Sequence, residues 1–337
     1  MSTPLRGAII GCGFFAQFHL EAWRRIPDVD IVAAVDPMLD KAHRFAPRAY
    51  STARELFESE RLDFVDIATR PDTHLELVQL AVQHNVAAIC QKPLARDIEE
   101  ALEFDRITRN SLARVMVHEN WRWQPWFREA KRRIQAGDIG QPVNYHFRTR
   151  QRDGLGPEPY PNQPYFRQMP RLLLYETLIH HLDTSRFLFG DLKSIYARTR
   201  RKNPLIAGED RAILLADHAS DVDGIIDGHR YLDPAEPGPA MGEAWLEGDE
   251  NWIRITAGGD LYLGRQHAWS PGALTGYKGE SVFATQKHFV DCLLSGEPFE
   301  TGISEYLGSF LAIEAAYRSA AEQRPVCLSE LMPSRER

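Results

Sequence analysis

Short apolar runs alternate with helical patterns through the first third of the chain. RGAIIG (6–11) is an apolar strand ending at glycine, and DIVAAVD (30–36) is a second, ending at Asp36. LDFVDIAT (62–69), NVAAIC (85–90) and ARVMVHEN (113–120) continue the series. Between them, FAQFHLEAWRRI (15–26) places Phe15, Phe18, Ala22 and Ile26 near helical period, and DTHLELVQLAVQH (72–84) reads as a second helix. Asp97 can cap a third helix, with Glu100 as its reciprocal partner. Strands that are apolar throughout need both faces covered. The pattern therefore predicts parallel βαβ units in a doubly wound α/β domain.

The pattern changes near residue 125. PVNYHFRTR (142–150), KSIYART (193–199), RAILLAD (211–217), NWIRITA (251–257) and DLYLG (260–264) read as strands, some alternating polar and apolar. Long irregular stretches cover 151–171 and 232–240, and helical patterns cover 172–190, 281–294 and 303–321. This predicts an α+β domain with a large, open, mostly antiparallel sheet. We expect residues 1–122 to form the first domain and residues 123–337 the second, and the length of 337 residues favours two cores over one.

The formal net charge of -7 disfavours a broad nucleic-acid footprint, and the basic run REAKRRI (128–134) reads as a solvated helix face. No apolar run reaches the length of a membrane span, and the start lacks a signal-peptide layout. Cysteines at 12, 90, 292 and 327 have neither zinc spacing nor disulfide density. They predict small buried thiols and a cytoplasmic setting.

GCGFFA (11–16) is a G-x-G-x-x-A turn at a strand-to-helix junction. Gly11 permits the tight turn and Gly13 lets a diphosphate approach the backbone, beside Phe14 and Phe15. Asp36, at the end of the next strand, can accept both hydroxyls of an adenosine ribose and would repel a 2′-phosphate. NAD is favoured over NADP, although the same turn also occurs in flavodoxin-like and methyltransferase sheets. Ligands in such sheets sit outside the strand carboxyl ends. That adds Thr69, Arg70, Pro71 and His74 after one strand, Gln91 and Lys92 after the next, and Asn120 after the last. His74 could equally help close a helix start. Lys92 precedes Pro93, which restricts its backbone. It could orient a hydroxyl and help accept a proton, or be a surface lysine beside a loop.

LLLYETLIHHLDTSRFLFG (172–190) reads as one helix ending at glycine, so Glu176, His180 and Asp183 share a face. A carboxylate one turn before a histidine can hold its tautomer, the arrangement of a general base with its orienter. His181 lies beside the apolar rows and reads as a packed core histidine. The paired histidines with Glu and Asp could alternatively hold zinc or manganese; our assignment is no metal.

Together these segments resemble the glucose–fructose oxidoreductase, inositol dehydrogenase and MocA family. GCGFFA resembles its dinucleotide loop, TRPDTH its T-x-P-x-x-H segment, CQKP its E-K-P motif, and HENWRWQP its N-x-R-F/W-x-P segment. ETLIHHLD corresponds to D-x-G-x-H-x-x-D. The resemblance implies an NAD-dependent dehydrogenase acting on CH–OH groups, with Lys92 near nicotinamide and substrate, His180 as catalytic histidine and Glu176 as its acidic partner. Gln91, Glu176 and Leu178 depart from the family's glutamate, aspartate and glycine. Substrate contacts are expected from Lys92, Asn120, Arg122, Tyr165, Arg167, Glu176 and His180. Dimers or tetramers pairing through the second domain's open sheet are implied as well. HENWRWQPW, QPYFRQMPR and RKNPLIAGED resemble, more narrowly, the branch that oxidises D-apiose at its anomeric carbon. Other aldoses or cyclic polyols, a cofactor retained through an oxidation–reduction cycle, and a non-catalytic NAD-sensing role are the alternatives.

Overall fold

The computed structural model describes residues 3–332. Two compact units emerge: the chain up to Asn120 together with Glu280–Leu307, and Trp121–Gly279 together with the chain from Gly308 onward.

The first unit is built on β1 (Leu5–Ile10), β2 (Val29–Val35), β3 (Arg48–Tyr50), β4 (Phe64–Ile67), β5 (Ala87–Gln91) and β6 (Val115–His118). They form a six-stranded sheet in the order β3-β2-β1-β4-β5-β6, parallel throughout. Four helices fall between the strands: α1 (Ala16–Trp23), α2 (Leu39–Ala42), α3 (Ala53–Ser59) and α4 (Pro71–Gln83). A fifth, α5 (Ile98–Thr108), separates β5 from β6. Asp97 caps α5 by accepting from the Glu100 N–H.

The single cut at 122/123 is corrected by the return of 280–307. This stretch packs with the first unit because the helix Ser281–Ser295 carries Phe289 and Val290 into a core with Leu20, Trp23, Phe64 and Ile89. One helix from late in the chain thus completes the layer over the parallel sheet.

The second unit contains α6 (Pro125–Gln135), α7 (Ile179–Phe189) and a nine-stranded sheet. Its strands are β7 (Pro142–Arg150), β8 (Leu192–Arg200), β9 (Arg211–His218), β10 (Asp223–His229), β11 (Gly242–Gly248), β12 (Trp252–Ile255), β13 (Leu261–Leu263), β14 (Gln266–Trp269) and β15 (Val326–Cys327). The order is β14-β13-β12-β11-β7-β10-β9-β8-β15. All neighbours are antiparallel except β7 and β10.

Register separates the two faces of this sheet. Ala197, Leu214, Ile226, Phe147, Ala244, Ile255 and Leu261 face one another across seven strands and are all buried. Phe127 of α6 and His181 of α7 pack on Phe147 from that side. The opposite row runs through Tyr196, Leu215, Ile225, His146 and Trp245, of which Leu215 is 50% and Ile225 41% exposed.

Cys12, Cys90 and Cys292 are buried as expected, whereas Cys327 is exposed. Among the described residues no helix is long and apolar enough to cross a membrane.

Candidate active site

In the first unit the nucleotide turn has the required shape. Gly11 has φ +95°, and a Cβ there would lie 2.8 Å from the Ala68 oxygen, so only glycine fits. A Cβ on Gly13 would meet nothing within 4 Å. The missing side chain there leaves open space along the backbone, where a diphosphate would lie. Ala16 is fully buried at the start of α1. Asp36 accepts the Cys12 N–H (3.1 Å) through Oδ2 and the Met38 N–H (2.9 Å) through Oδ1. This holds the carboxylate beside the turn, and each oxygen keeps a lone pair for a ribose hydroxyl. Phe14 is exposed and rests on Phe18, and Phe15 packs against His19. Burial, then the Asp36 charge, pushes the Cys12 thiol up to about 12, which keeps it unreactive.

The next strand ends carry the other cofactor candidates. Pro71 opens α4, and Arg70 forms an exposed pair with Asp72 at 3.2 Å. Thr69 Oγ1 accepts from Thr73 (2.8 Å). His74, a candidate cofactor contact, is wholly buried, with its ring 3.2 Å from each of the Thr69 and Leu94 carbonyl oxygens. Burial lowers its pKa. Its geometry ties together the two loops that carry Thr69 and Lys92. Gln91 is buried, and its Oε1 accepts the Lys92 N–H (2.7 Å) just before a cis Lys92–Pro93 bond. Asn120 is also buried and donates to Ser281 Oγ (2.7 Å).

In the second unit, the segment 172–190 departs from one continuous α-helix. Leu173–Leu178 is a π-turn, with the Ile179 N–H donating to the Leu174 oxygen, and α7 follows. The wider turn changes the pitch between Glu176 and His180, whereas His180 and Asp183 both lie within α7 and keep their spacing of three. Asp183 is fully buried in a two-pronged pair with Arg122 (2.7 and 2.8 Å) and accepts from Ser309 (2.8 Å). Arg122, expected to touch substrate, is therefore committed to a buried ion pair. Glu176 Oε2 accepts from Thr177 Oγ1 (2.7 Å) and lies 3.7 Å from the Arg230 guanidinium.

His180 is 5% exposed and stacks on the Trp121 indole, centroids 4.7 Å apart and planes 10° apart. The stack sets the plane of the imidazole. His181 is buried against Trp121 and Phe147 and hydrogen-bonded to Thr149, and burial followed by the His180 charge pushes it down to about 3. Tyr165 is exposed, its hydroxyl accepting from Gln163 (3.2 Å). Arg167 donates to the Pro159 oxygen (2.7 Å), which ties it to its own loop.

The largest group that the sequence did not reveal surrounds Glu176. Arg230 is buried, grips Asp153 with two nitrogens, donates to Thr177 Oγ1 (2.8 Å) and lies under the Tyr160 ring (5.1 Å). Burial, then Arg230, lowers the Lys278 ammonium below the usual lysine range. Burial, then the Glu176 charge, raises the Tyr277 hydroxyl. Arg230 follows β10 in GHRYLD with no local motif around it, so only tertiary pairing exposes its role. Among the described residues no group of three histidine, cysteine, aspartate or glutamate side chains is placed to hold a metal ion.

Comparison with known proteins agrees with this geometry. The profile of the oxidoreductase family with an NAD-binding Rossmann fold matches residues 5–119. The profile of the GFO/IDH/MocA C-terminal domain matches residues 127–254. The chain is 36% identical to a D-apiose dehydrogenase of Rhizobium rhizogenes, over 98% of this chain and 99% of that one. It is 35% identical to a D-apiose dehydrogenase of Paraburkholderia graminis, over 97% and 90%. A solved oxidoreductase of Agrobacterium radiobacter, in complex with NAD+, L-tartaric acid and magnesium, superposes with a TM-score of 0.90. It is 34% identical and covers 98% of this chain and 100% of its own. A parallel sheet with an NAD-shaped turn in one unit, a nine-stranded mixed sheet in the other and matches along nearly the whole length converge on one assignment: this chain belongs to the glucose–fructose oxidoreductase, inositol dehydrogenase and MocA family of NAD-dependent dehydrogenases.

Proposed function

We propose that this dehydrogenase oxidises D-apiose at its anomeric carbon, giving the lactone. The observation that carries this reading is the end-to-end match to D-apiose dehydrogenases at 35–36% identity. Bound NAD supplies the hydride acceptor, and the protein supplies position and proton handling. His180, with its plane fixed by Trp121, takes the proton of the anomeric hydroxyl. Glu176 steadies the positive charge that His180 then gains. The Arg230 guanidinium, 3.7 Å from that carboxylate, balances its charge. Lys92 holds the reacting oxygen and offsets its developing negative charge. Asn120, Tyr165 and Arg167 remain candidates for the other hydroxyls, while Arg122 acts through Asp183.

A panel of aldoses and polyols, each offered with NAD and with NADP, tests the reading by the absorbance of reduced nicotinamide. D-apiose with NAD is expected to give the highest kcat/KM. Faster turnover of a cyclic polyol would move the substrate to the inositol branch. NAD binding without reduction by any sugar would favour a sensing role.

The open row Tyr196–Leu215–Ile225–His146–Trp245 is assigned as the face that pairs two copies into a dimer or tetramer. Exposed apolar side chains in cross-strand register support this. Leu215→Glu should shift the mass in solution toward monomer by light scattering; an unchanged mass would remove the assignment. Three buried free thiols, with no disulfide among the described residues, fit a cytoplasmic setting.

A further inference from the structure

Beneath Lys92 lies a buried chain of hydrogen bonds that the proposed chemistry does not use. Register puts Asp66 of β4, Gln91 of β5 and His118 of β6 on one face of the parallel sheet, the face covered by α1. His19 and Trp23, one turn apart on α1, both reach Asp66: His19 Nδ1 at 2.8 Å and Trp23 Nε1 at 2.6 Å. The other nitrogen of His19, Nε2, lies 3.0 Å from Gln91 Nε2, and Gln91 Oε1 lies 2.7 Å from the Lys92 amide. His19, Asp66 and His118 are 0% exposed, Trp23 1% and Gln91 7%.

Every direction in this chain is fixed by its ends. The Lys92 N–H can only donate, so the oxygen of Gln91 must face it. The Gln91 NH2 then faces His19 and donates to Nε2, which must carry a lone pair. The one ring proton therefore sits on Nδ1, where an Asp66 carboxylate is waiting to accept it. Glutamine is the side chain of this length that can accept at one end and donate at the other.

We infer that His19 and Gln91 are positioning residues for Lys92, with Asp66 fixing the His19 tautomer and the Gln91 amide anchoring the lysine backbone. The inference rests on Lys92 acting at the reacting oxygen, as proposed above. Titratable groups around the His19 ring are Asp66 from β4 and His118 from β6, the latter stacked on it at 4.1 Å. Cys90 belongs to the opposite face of β5. The helix Ser281–Ser295 contributes Phe289 and Val290 to this layer, and Glu280 before it is engaged by Arg25 at 2.7 Å.

Two variants at one position separate this role from simple packing. Gln91→Leu removes the acceptor for the Lys92 N–H. Displacing a catalytic group by about 1 Å costs roughly 100-fold, so kcat should fall by about 10- to 100-fold while NAD affinity holds. Gln91→Glu keeps that acceptor but turns a second one toward His19, so the imidazole must take a second proton. This variant should recover most of the turnover on the acid side. It should then lose turnover along a new alkaline limb as the second proton leaves and two acceptors face each other.

Nitrogen-15 spectra of labelled histidine read the protons on His19 directly, with His118 followed as its own signal. A limb in the Gln91→Glu profile that coincides with loss of the second His19 proton supports the inference. Two protons on His19 with a pH profile unchanged from the parent would overturn it, as would a single proton on His19 throughout. A Gln91→Glu enzyme inactive at every pH despite two protons on His19 would also overturn it. Lys92→Met tests the underlying reading separately. Full turnover in that variant defeats the lysine's role, while the His19 spectra still report whether the chain is polarised as described.

Discussion

Two buried polar clusters, one in each unit, are held by different physics. In the parallel-sheet unit, Asp66, His19 and Gln91 form a file of directed hydrogen bonds that ends on the Lys92 amide. In the mixed-sheet unit, cations are set against carboxylates: Arg122 on Asp183, and Arg230 on Asp153 and Glu176. A directed file specifies geometry, because reversing one donor breaks it. An ion pair specifies charge balance and tolerates small displacements, but deletion of one partner strands the other. The first suits a lysine that must be aimed, the second a carboxylate whose charge must be balanced.

That contrast is broken most forcefully at Asp183. Asp183→Ala leaves Arg122 buried without its carboxylate and should cost about 3–5 kcal/mol in denaturant unfolding. The double change Arg122→Met with Asp183→Leu should be far milder, because no charge is stranded. Equal losses from both would mean that the site responds to shape rather than charge.

Chemistry at His180 comes next. His180→Ala should lower kcat by about 100-fold or more, the usual contribution of a positioned general base. NAD affinity by fluorescence titration should change little, since the nucleotide turn belongs to the other unit. Undiminished turnover would remove the assigned role.

The smallest effect concerns pH. His181 is neutral when folded, with its pKa near 3, against about 6.5 in the unfolded chain. Below about pH 6.5 the unfolded state takes up a proton that the folded state refuses, so stability falls as pH drops toward 3. Above that range the residue contributes no slope. His74 and His218, also lowered by burial, act in the same direction. Between neutral pH and about pH 5, His181→Asn should lose less stability than the parent by about 2 kcal/mol. Parallel acid slopes would show that this ring titrates normally.

Much of the first unit was legible because its information is local. Apolar runs ending at Gly11, Asp36, Thr69 and Cys90 declare both the strands and the crevice at their ends. β3 was missed because a three-residue edge strand has no period to read. The second unit hid more. A π-turn at Leu173–Leu178 looks like ordinary helix in any hydrophobic pattern, so the step from Glu176 to His180 was counted on a uniform α pitch, while that from His180 to Asp183 lies within α7. The pairing of Arg122 with Asp183 was hidden because the two are distant in sequence. Arg230 was invisible for the same reason. The helix Ser281–Ser295 showed its amphipathic pattern but not which core it would enter. Gln91 was noted as a departure from the family glutamate, and only the position of His19 gives that departure a physical reason.

The central claim is that hydride leaves the anomeric carbon of a sugar while the enzyme's own groups take the hydroxyl proton. D-apiose carrying deuterium at that carbon, incubated with NAD and the enzyme, tests it most directly when both products are weighed by mass spectrometry. The account predicts one deuterium in the reduced nicotinamide and none at the former anomeric carbon of the lactone. Reduced nicotinamide without deuterium, or deuterated sugar recovered with the cofactor still oxidised, would contradict it.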